Sequence, residues 1–491
     1  MIALWFRKFF YGCLLRLLGV SRLYREVVVE DRHQDVEPEI RGEIVDLLTK
    51  VNENNPYFRG KYTDFLKAVK GKSDEVFFEE YAKLPAMTKD DYAEGGFDVM
   101  NEEYKDRVEE LMFEFSSSPI KVIKQLWSKD FIFPMATGGS TALPLSVYMN
   151  KHHAFSMLFT FFKCWYRMGW RPGDKILVFY PANTYNIDEM AQFNNFSWLS
   201  GFRIMLFSKI DEPTIRELIE EMNRYKPKML LVFPSPMNMI SDTVRKHDLP
   251  LKYQPPLINV SGETFFDCQR KNIESVFNES IVEDSYGSVE LGEIAHETDG
   301  GLECFSNVAY FENSEVEGAD TPEMLITRLD LDVFPFIRYQ MKDLAFIDFR
   351  RSDGVEEFLM RGIEGKDTNY ILSHTSQRLY PSFFNNFVNV LNAQFKDDII
   401  EVKVYERGQK ELEVLFITRG EDQRDDIEGA AQSFLQDNIG GDMRYEIRFV
   451  DYIDHDYRRK YRVIERLNDE EFAGGIVGND EKLAKIKASA E

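Results

Sequence analysis

The segment Thr137–Pro144 reads TGGSTALP, two glycines followed by a Ser-Thr pair, where an apolar stretch gives way to strand-like LSVY. Small residues there let backbone amides and hydroxyls close around an anion. Thr137, Gly138, Gly139, Ser140 and Thr141 are therefore the best candidate in the chain for gripping a nucleotide triphosphate. The loop is not a Walker motif, since nothing in it matches glycine, four residues, glycine, lysine and hydroxyl. Taken alone, such a run reads as a polar surface turn, so its weight rests on what accompanies it. Four features accompany it: Tyr286 and Gly287 lead to Glu290 in SYGSVELGE, Asp343 sits in RYQMKDL, Lys366 follows a glycine, and Lys460 lies in RRKYRVIERL. Singly, Glu290 reads as a solvated helix-start charge, Asp343 as a turn residue and Lys460 as part of a polar strand face. Their weight lies in the set and its order, not in any one of them.

The elements between these residues alternate. After the loop come a helix over Lys151 to Trp170, strand-like KILVFYPA, a helical stretch around Met190 to Leu199, and strand-like RIMLFS. A helix from about Pro213 to Tyr225, MLLVFPS, another helical stretch, LINVSGE, a helix from about Phe265 to Phe277 and SIVEDSYG follow. Short, continuously apolar strands separated by helices imply a parallel sheet covered on both faces, with ligands beyond the carboxyl ends of the strands. Those ends carry Pro181 to Tyr185, Pro234 to Pro236, Ser261-Gly262-Glu263 and Ser285-Tyr286-Gly287. Tyr180, Tyr185, Phe196 and Trp198 could line an apolar pocket there, with core packing as the alternative. From about Gly301, EMLITRLD and FIRYQMKDLAFIDF suggest an appended antiparallel portion. IIEVKVYE, ELEVLFITR, a helix near Asp425 to Asp437 and YEIRFVDYI form a small α+β domain, with a hinge expected at Gly362 to Asn369.

The fold class is thus α/β: a large domain with a parallel, helix-covered sheet plus an antiparallel β portion, and a small mobile α+β domain. The divisions read 1–24, 25–366, 367–468 and a polar tail, 469–491. At 491 residues, 44% of them hydrophobic, the chain has core material for at least two domains. A net charge of −24 argues against nucleic-acid binding but does not veto a small polyanion gripped by local amides. Cys13, Cys164, Cys268 and Cys304 show no paired spacing, so neither disulfides nor a structural metal is expected, and the seven histidines form no metal set. Within Met1 to Gly19, Ile2, Phe6, Phe9, Phe10, Cys13, Leu14 and Leu17 share one helical side, with Lys8 and Arg16 opposite. The charges break the run, so neither a secretory signal nor a membrane-spanning helix is read here. The helix fits a membrane interface and fits packing on its own protein equally well. A cytoplasmic location, with or without membrane association, is the expectation.

In their order, these motifs resemble the adenylate-forming superfamily of acyl- and aryl-CoA ligases, and within it phenylacetate-CoA ligases and their relatives associated with capsular polysaccharide biosynthesis. The resemblance runs from Leu84-Pro85 and Thr88-Lys89 in LPAMTKDD to Arg462. It implies that a small-molecule carboxylic acid attacks ATP to give an acyl-adenylate and pyrophosphate. A thiol, that of coenzyme A, then displaces AMP. By this likeness Thr137 to Thr141 cradle the phosphates and Glu290 holds Mg²⁺. Gly262, Glu263, Ser285, Tyr286 and Gly287 line the adenine and the carboxylate. Asp343 takes the ribose hydroxyls and Lys366 follows the hinge glycine. Lys460, the catalytic lysine, sits beside the forming adenylate with Glu290 and Thr141 as its partners in catalysis.

The chain departs from the family pattern at Ala142 for a glycine, Met341-Lys342 for Thr-Gly, Lys366 for arginine, Thr368-Asn369 for paired aspartates and Arg459 for glycine. Lys366 keeps a charge but loses the bidentate fork. The altered hinge weakens the case for transfer to coenzyme A more than the case for adenylation. Two alternatives stay open. One passes the acyl group to an amine or hydroxyl of a sugar or other acceptor, and the other keeps nucleotide binding without catalysis.

Overall fold

A computed structural model of the chain describes residues 2–30, 36–114, 119–128, 130–136, 145–182, 194, 197–352, 355–366, 369–407, 410–453 and 461–467. The loop Thr137–Pro144, Tyr185, Phe196, Thr368, Arg459, Lys460 and the tail beyond 467 lie outside these residues. Two compact units are resolved, one built from Met1–Phe265 and Ile273–Ile363, the other from Phe266–Asn272 and the chain from Glu364.

In the first unit, β1 (Phe133–Ala136) and β2 (Ser146–Met149) pair antiparallel, so that Ala136 and Ser146 stand opposite each other at the two ends of the glycine-rich loop. The apolar runs then build a parallel sheet of β3 (Ile176–Pro181), β4 (Phe202–Phe207), β5 (Met229–Val232), β6 (Leu257–Ser261) and β7 (Ile281–Ser288), ordered β4-β3-β5-β6-β7. Side chains alternate across it: Ile176 and Val178 join one hydrophobic cluster, Leu177 and Phe179 the other. Helices Glu212–Tyr225, Pro234–Lys246 and Asp267–Val276 supply Leu218, Met222, Ile240 and Ile273 to one face. The Lys151–Arg167 helix, started by the Asn150 side chain accepting from the His153 amide, covers the other with Phe159 and Phe162.

The antiparallel part begins earlier than the sequence suggests, at the β7–β8 hairpin and not at Gly301. It comprises β8 (Gly292–Thr298), β9 (Gly301–Cys304), β10 (Ala309–Ser314), β11 (Glu323–Arg328), β12 (Tyr339–Ser352) and β13 (Val355–Lys366). All join one 11-stranded sheet in the order β10-β11-β12-β13-β9-β8-β7-β6-β5-β3-β4. Pro234 to Pro236, read as a strand-end turn, form the first turn of a helix instead, where a proline needs no donor. The helical stretch expected around Met190 to Leu199 is seen only over Ser197–Ser200, most of it falling outside the described residues.

The second unit holds a short pair, β14 (Ile371–Leu372) with β15 (Arg378–Leu379), and a four-stranded sheet of β16 (Ile399–Arg407), β17 (Glu411–Thr418), β18 (Arg444–Phe449) and β19 (Ile464–Leu467), ordered β18-β17-β16-β19. Helices Pro381–Phe395 and Arg424–Asn438 pack on it through Phe387, whose ring centroid lies 5.8 Å from Phe416 and 5.0 Å from Phe434.

The N-terminal helix, Ile2–Leu17, docks on the first unit by the side that carries Arg7, Tyr11, Leu14 and Leu15. Arg7 is only 7% exposed and its Nε donates to the Gly173 carbonyl at 2.7 Å, while the Tyr11 hydroxyl donates to the Ser200 carbonyl at 2.7 Å. Phe9 and Leu17, from the apolar side, remain 58% and 54% exposed. Among the described residues no helix is long and apolar enough to cross a membrane. Gly173 has φ +93°, and a Cβ there would come within 2.9 Å of the Lys8 backbone nitrogen. Gly173→Ala is expected to cost about 1–3 kcal/mol, read as a lower midpoint in thermal unfolding; an unchanged midpoint would mean that the helix does not dock there.

Candidate active site

Glu290 stands at the tip of the β7–β8 hairpin, in a turn and not at a helix start, because β7 runs straight into Ser288 and reverses at Gly292. The turn is tightly held. Leu291 is fully buried and its amide donates to the Ser288 hydroxyl at 3.2 Å. Gly292 has φ +72°, and a Cβ on it would lie 2.5 Å from Thr160 Oγ1 on the Lys151–Arg167 helix. Only glycine lets the hairpin approach that helix so closely.

Asp343 reaches the same place from β12. The Tyr286 hydroxyl donates to Asp343 Oδ2 at 2.7 Å, and the Tyr339 hydroxyl donates to Glu290 Oε1 at 3.4 Å. Burial, then the Asp343 carboxylate, pushes the Tyr286 phenol well above its usual range; burial, then Glu290, raises Tyr339. Both phenols therefore stay protonated as donors. Three strands, β13, β9 and β8, separate β12 from β7 in the sheet. Laid flat, four strand spacings would hold the two about 19 Å apart, beyond the reach of a tyrosine and an aspartate. The antiparallel part therefore curls until β12 faces β7.

Lys342, ahead of Asp343, has φ +63°, the conformation in which a glycine costs least. Its amide donates to Glu323 Oε1 at 2.8 Å, and Gln340 Nε2 donates to the other oxygen of Glu323 at 2.5 Å. The non-glycine residue is thus held in the left-handed region by a carboxylate. The LPAMTKDD segment joins here as well: the Met87 amide donates to the Arg338 carbonyl at 3.0 Å, and the Gln340 amide to the Met87 carbonyl at 2.9 Å. Thr88 caps the next helix in a reciprocal pair with Asp91.

The other strand ends surround this centre. Gly262 follows β6 at φ +86°, and Glu263 Oε2 accepts from the Ser235 amide at 3.1 Å and its hydroxyl at 2.7 Å. Glu263 thus ties the end of β6 to the positive end of the Pro234–Lys246 helix. Ser285 is buried and accepts from Asn259 Nδ2 at 3.2 Å, and Gly287 pairs with Glu293 beside a bulge. The buried Glu293 carboxylate accepts from the Ser261 hydroxyl at 3.1 Å, beneath the ends of β6 and β7. Tyr180 stacks on Phe233 with ring centroids 4.7 Å apart, at the ends of β3 and β5. Trp198 is not among them. It precedes the amino end of β4 and is 63% exposed, because the Ser197–Ser200 helix leads into that strand and does not leave it. Lys366 closes β13 as an exposed residue of the second unit.

Sequence reading missed the group that secures the turn. Arg328, at the end of β11, has no exposed side-chain area. It donates through Nε to Asp330 at 3.0 Å, through Nη2 to Ser156 at 3.0 Å, and through Nη1 to the Leu291 carbonyl, next to Glu290. Ser156 donates in turn to Asp330. Burial works to raise the Asp330 carboxyl, but Arg328 and the Ser156 hydroxyl outweigh it and hold it below the usual range. His153 lies beside the cluster, and burial followed by the Arg328 charge lowers it to about 3, so it is neutral. The signal in the sequence is an Arg-x-Asp pair closing the strand-like run EMLIT.

No three His, Cys, Asp or Glu side chains among the described residues cluster as a metal cage. One carboxylate at an accessible turn is still the donor set magnesium uses when substrate phosphates and water complete its octahedron, so Glu290 fits that ion.

No family model matches the chain. Protein CapK of Staphylococcus aureus is 23% identical over 206 residues, 40% of this chain and 45% of that protein, so the match spans less than half of its relative's length. Among solved structures, 2-hydroxyisobutyryl-CoA ligase in the postadenylation state with 2-HIB-AMP superimposes at a TM-score of 0.64 with 15% identity, covering 91% of this chain and 93% of that one. The same ligase with R3-HIB-AMP gives 0.62 and 16%, over 89% and 90%. In an open conformation with 2-HIB-AMP and CoA it gives 0.50 and 16%, over 87% and 91%. At such identities the likeness is one of architecture: the chain has the fold of the adenylate-forming acid-CoA ligases.

Proposed function

We propose that the protein activates a carboxylic acid with ATP as an acyl-adenylate, releasing pyrophosphate, and then transfers the acyl group to a thiol, that of coenzyme A. The observation that carries this reading is the meeting of Asp343 and Glu290 through Tyr286 and Tyr339 at the strand ends. Bound acyl-adenylates in the ligases of the same fold support it.

In the first step a carboxylate oxygen bonds to the α-phosphorus while the bridge to the β-phosphate breaks. Asp343 accepts from the ribose hydroxyls, and the Tyr286 hydroxyl holds its rotamer. Magnesium, when bound, supplies charge neutralisation for the phosphates, and Glu290 holds it with the Tyr339 phenol fixing the carboxylate. Thr137 to Thr141 close on the phosphates, and Lys460 offsets the charge that develops at the adenylate. In the second step the thiolate bonds to the acyl carbon and AMP leaves. The left-handed Lys342 favours this active reading over a catalytically degenerate one: the backbone ahead of Asp343 lies in the region a glycine there would adopt at least cost, so the change of residue type does not force a change of shape.

Pyrophosphate release is expected with one or more members of a panel of aryl and fatty acids, to stop on chelation of magnesium, and to fall about 100-fold or more in Lys460→Ala; undiminished turnover in that variant would defeat the assignment. Asp343→Ala is expected to raise KM for ATP about tenfold with a smaller change in kcat, matching the loss of hydrogen bonds to a charged acceptor. Measured AMP release with coenzyme A against amino-sugar acceptors decides the second step: turnover with the sugars alone would replace thiol transfer by amine or hydroxyl transfer. Arg328→Met leaves Asp330 buried without its cation. It is expected to cost about 3–5 kcal/mol in denaturant unfolding and to raise the magnesium concentration needed for half-maximal rate, with partial rescue by Arg328→Lys; an unchanged magnesium requirement would separate Arg328 from the Glu290 turn.

A further inference from the structure

We propose that the edge of the first unit at the amino ends of β3 and β4, capped by the N-terminal helix, docks on an anionic membrane surface. The chain carries a net charge of −24, yet Ile2–Leu17 contains Arg7, Lys8 and Arg16 and no acidic residue. Helices that lie in a bilayer interface combine such a charge bias with large apolar side chains. The docking geometry then decides which side chains remain available. Arg7 and Tyr11 turn inward to the carbonyls of Gly173 and Ser200, which leaves Phe9, Leu17, Lys8 and Arg16 exposed. Leu14 and Leu15 pack against the core beside Arg7 and Tyr11, yet Phe9 and Leu17 stay in water, which packing on this unit alone does not account for.

The neighbouring surface continues the pattern. Trp198, 63% exposed, sits two residues before Ser200, the acceptor of the Tyr11 hydroxyl, and an indole with one wet end suits the headgroup layer. Arg171, Lys175 and Lys226 lie on the same edge, around the starts of β3 and β5. The acids facing them are taken up. Asp174 is buried and bridged by Lys228 at 3.3 Å, and buried Glu221 is held by Arg203 and Arg224. Burial, and after it the like charges of Arg7 and Lys226, lowers the Lys175 ammonium. A second copy of this chain is a poorer occupant, because a two-fold contact would set these cations against themselves. The membrane-facing edge is opposite the carboxyl ends that carry Tyr286 and Glu263, so docking leaves the candidate active site open to solvent.

The test is flotation of the full chain with vesicles of phosphatidylcholine containing about a third phosphatidylglycerol, beside phosphatidylcholine alone. Binding is expected on the anionic vesicles, weakened by salt, and weaker by about 30-fold in Lys8→Gln/Arg16→Gln. Phe9→Ser/Trp198→Ser is expected to bind less while keeping the parent's unfolding midpoint, which separates a lost contact from a lost fold. Equal binding to both vesicle types, no binding to either, or parental binding by Lys8→Gln/Arg16→Gln would overturn the proposal. So would a concentration-dependent dimer, seen by sedimentation, that Phe9→Ser/Trp198→Ser disperses. These readouts need no substrate, so they stand or fall apart from the ligase chemistry.

Discussion

A hydrogen bond between Tyr286 and Asp343 joins two strands that have three others between them, and the large unit is organised around making that bond reachable. The parallel half supplies a flat platform whose carboxyl ends present Ser261, Glu263 and Tyr286. The antiparallel half supplies the curl. Neither half alone brings the Asp343 carboxylate beside the Glu290 carboxylate. The fold's unusual length of sheet is therefore a positioning device, and the chemistry sits at its seam.

That seam is stabilised from beneath by charge and not by apolar packing alone. Burying a guanidinium is expensive unless every donor is used, and Arg328 meets that condition through both oxygens of Asp330, the Ser156 hydroxyl, the Leu291 carbonyl and the Met157 sulfur. The second unit follows the same rule. Lys403, nearly inaccessible, bridges Glu465 at 2.7 Å, and fully buried Glu413 is shared between Arg407 and Arg448. In both units a buried charge sits where elements from distant parts of the chain must meet in one register.

Much of this was legible before any coordinates. Continuous apolar runs such as MLLV and LINVS announced parallel strands because both faces of such a strand are covered, and the turn-rich residues after them marked where a ligand could sit. The antiparallel onset was not legible. LGEIAHET carries Glu293 and His296, which look like surface residues yet are buried, so the run lacks the alternation that marks a strand. The Pro381–Phe395 helix and the helical region before β1 carry no motif that marks them in the sequence. Arg328 hid inside a strand, since a single charge after EMLIT reads as the strand's exit to solvent. For the N-terminal helix, periodicity marks an apolar side but cannot say that the protein grips the neighbouring one, through Arg7 and Tyr11, and leaves Phe9 and Leu17 out. That depended on two backbone carbonyls, Gly173 and Ser200, far away in sequence.

The clamped hairpin has a thermodynamic meaning of its own. With Leu291 buried, its carbonyl held and Gly292 wedged against Thr160, the backbone that carries Glu290 loses its freedom when the chain folds and has little left to lose when a nucleotide arrives. Affinity at that oxygen then reflects the strength of the contact itself, undiluted by the ordering of a loose loop.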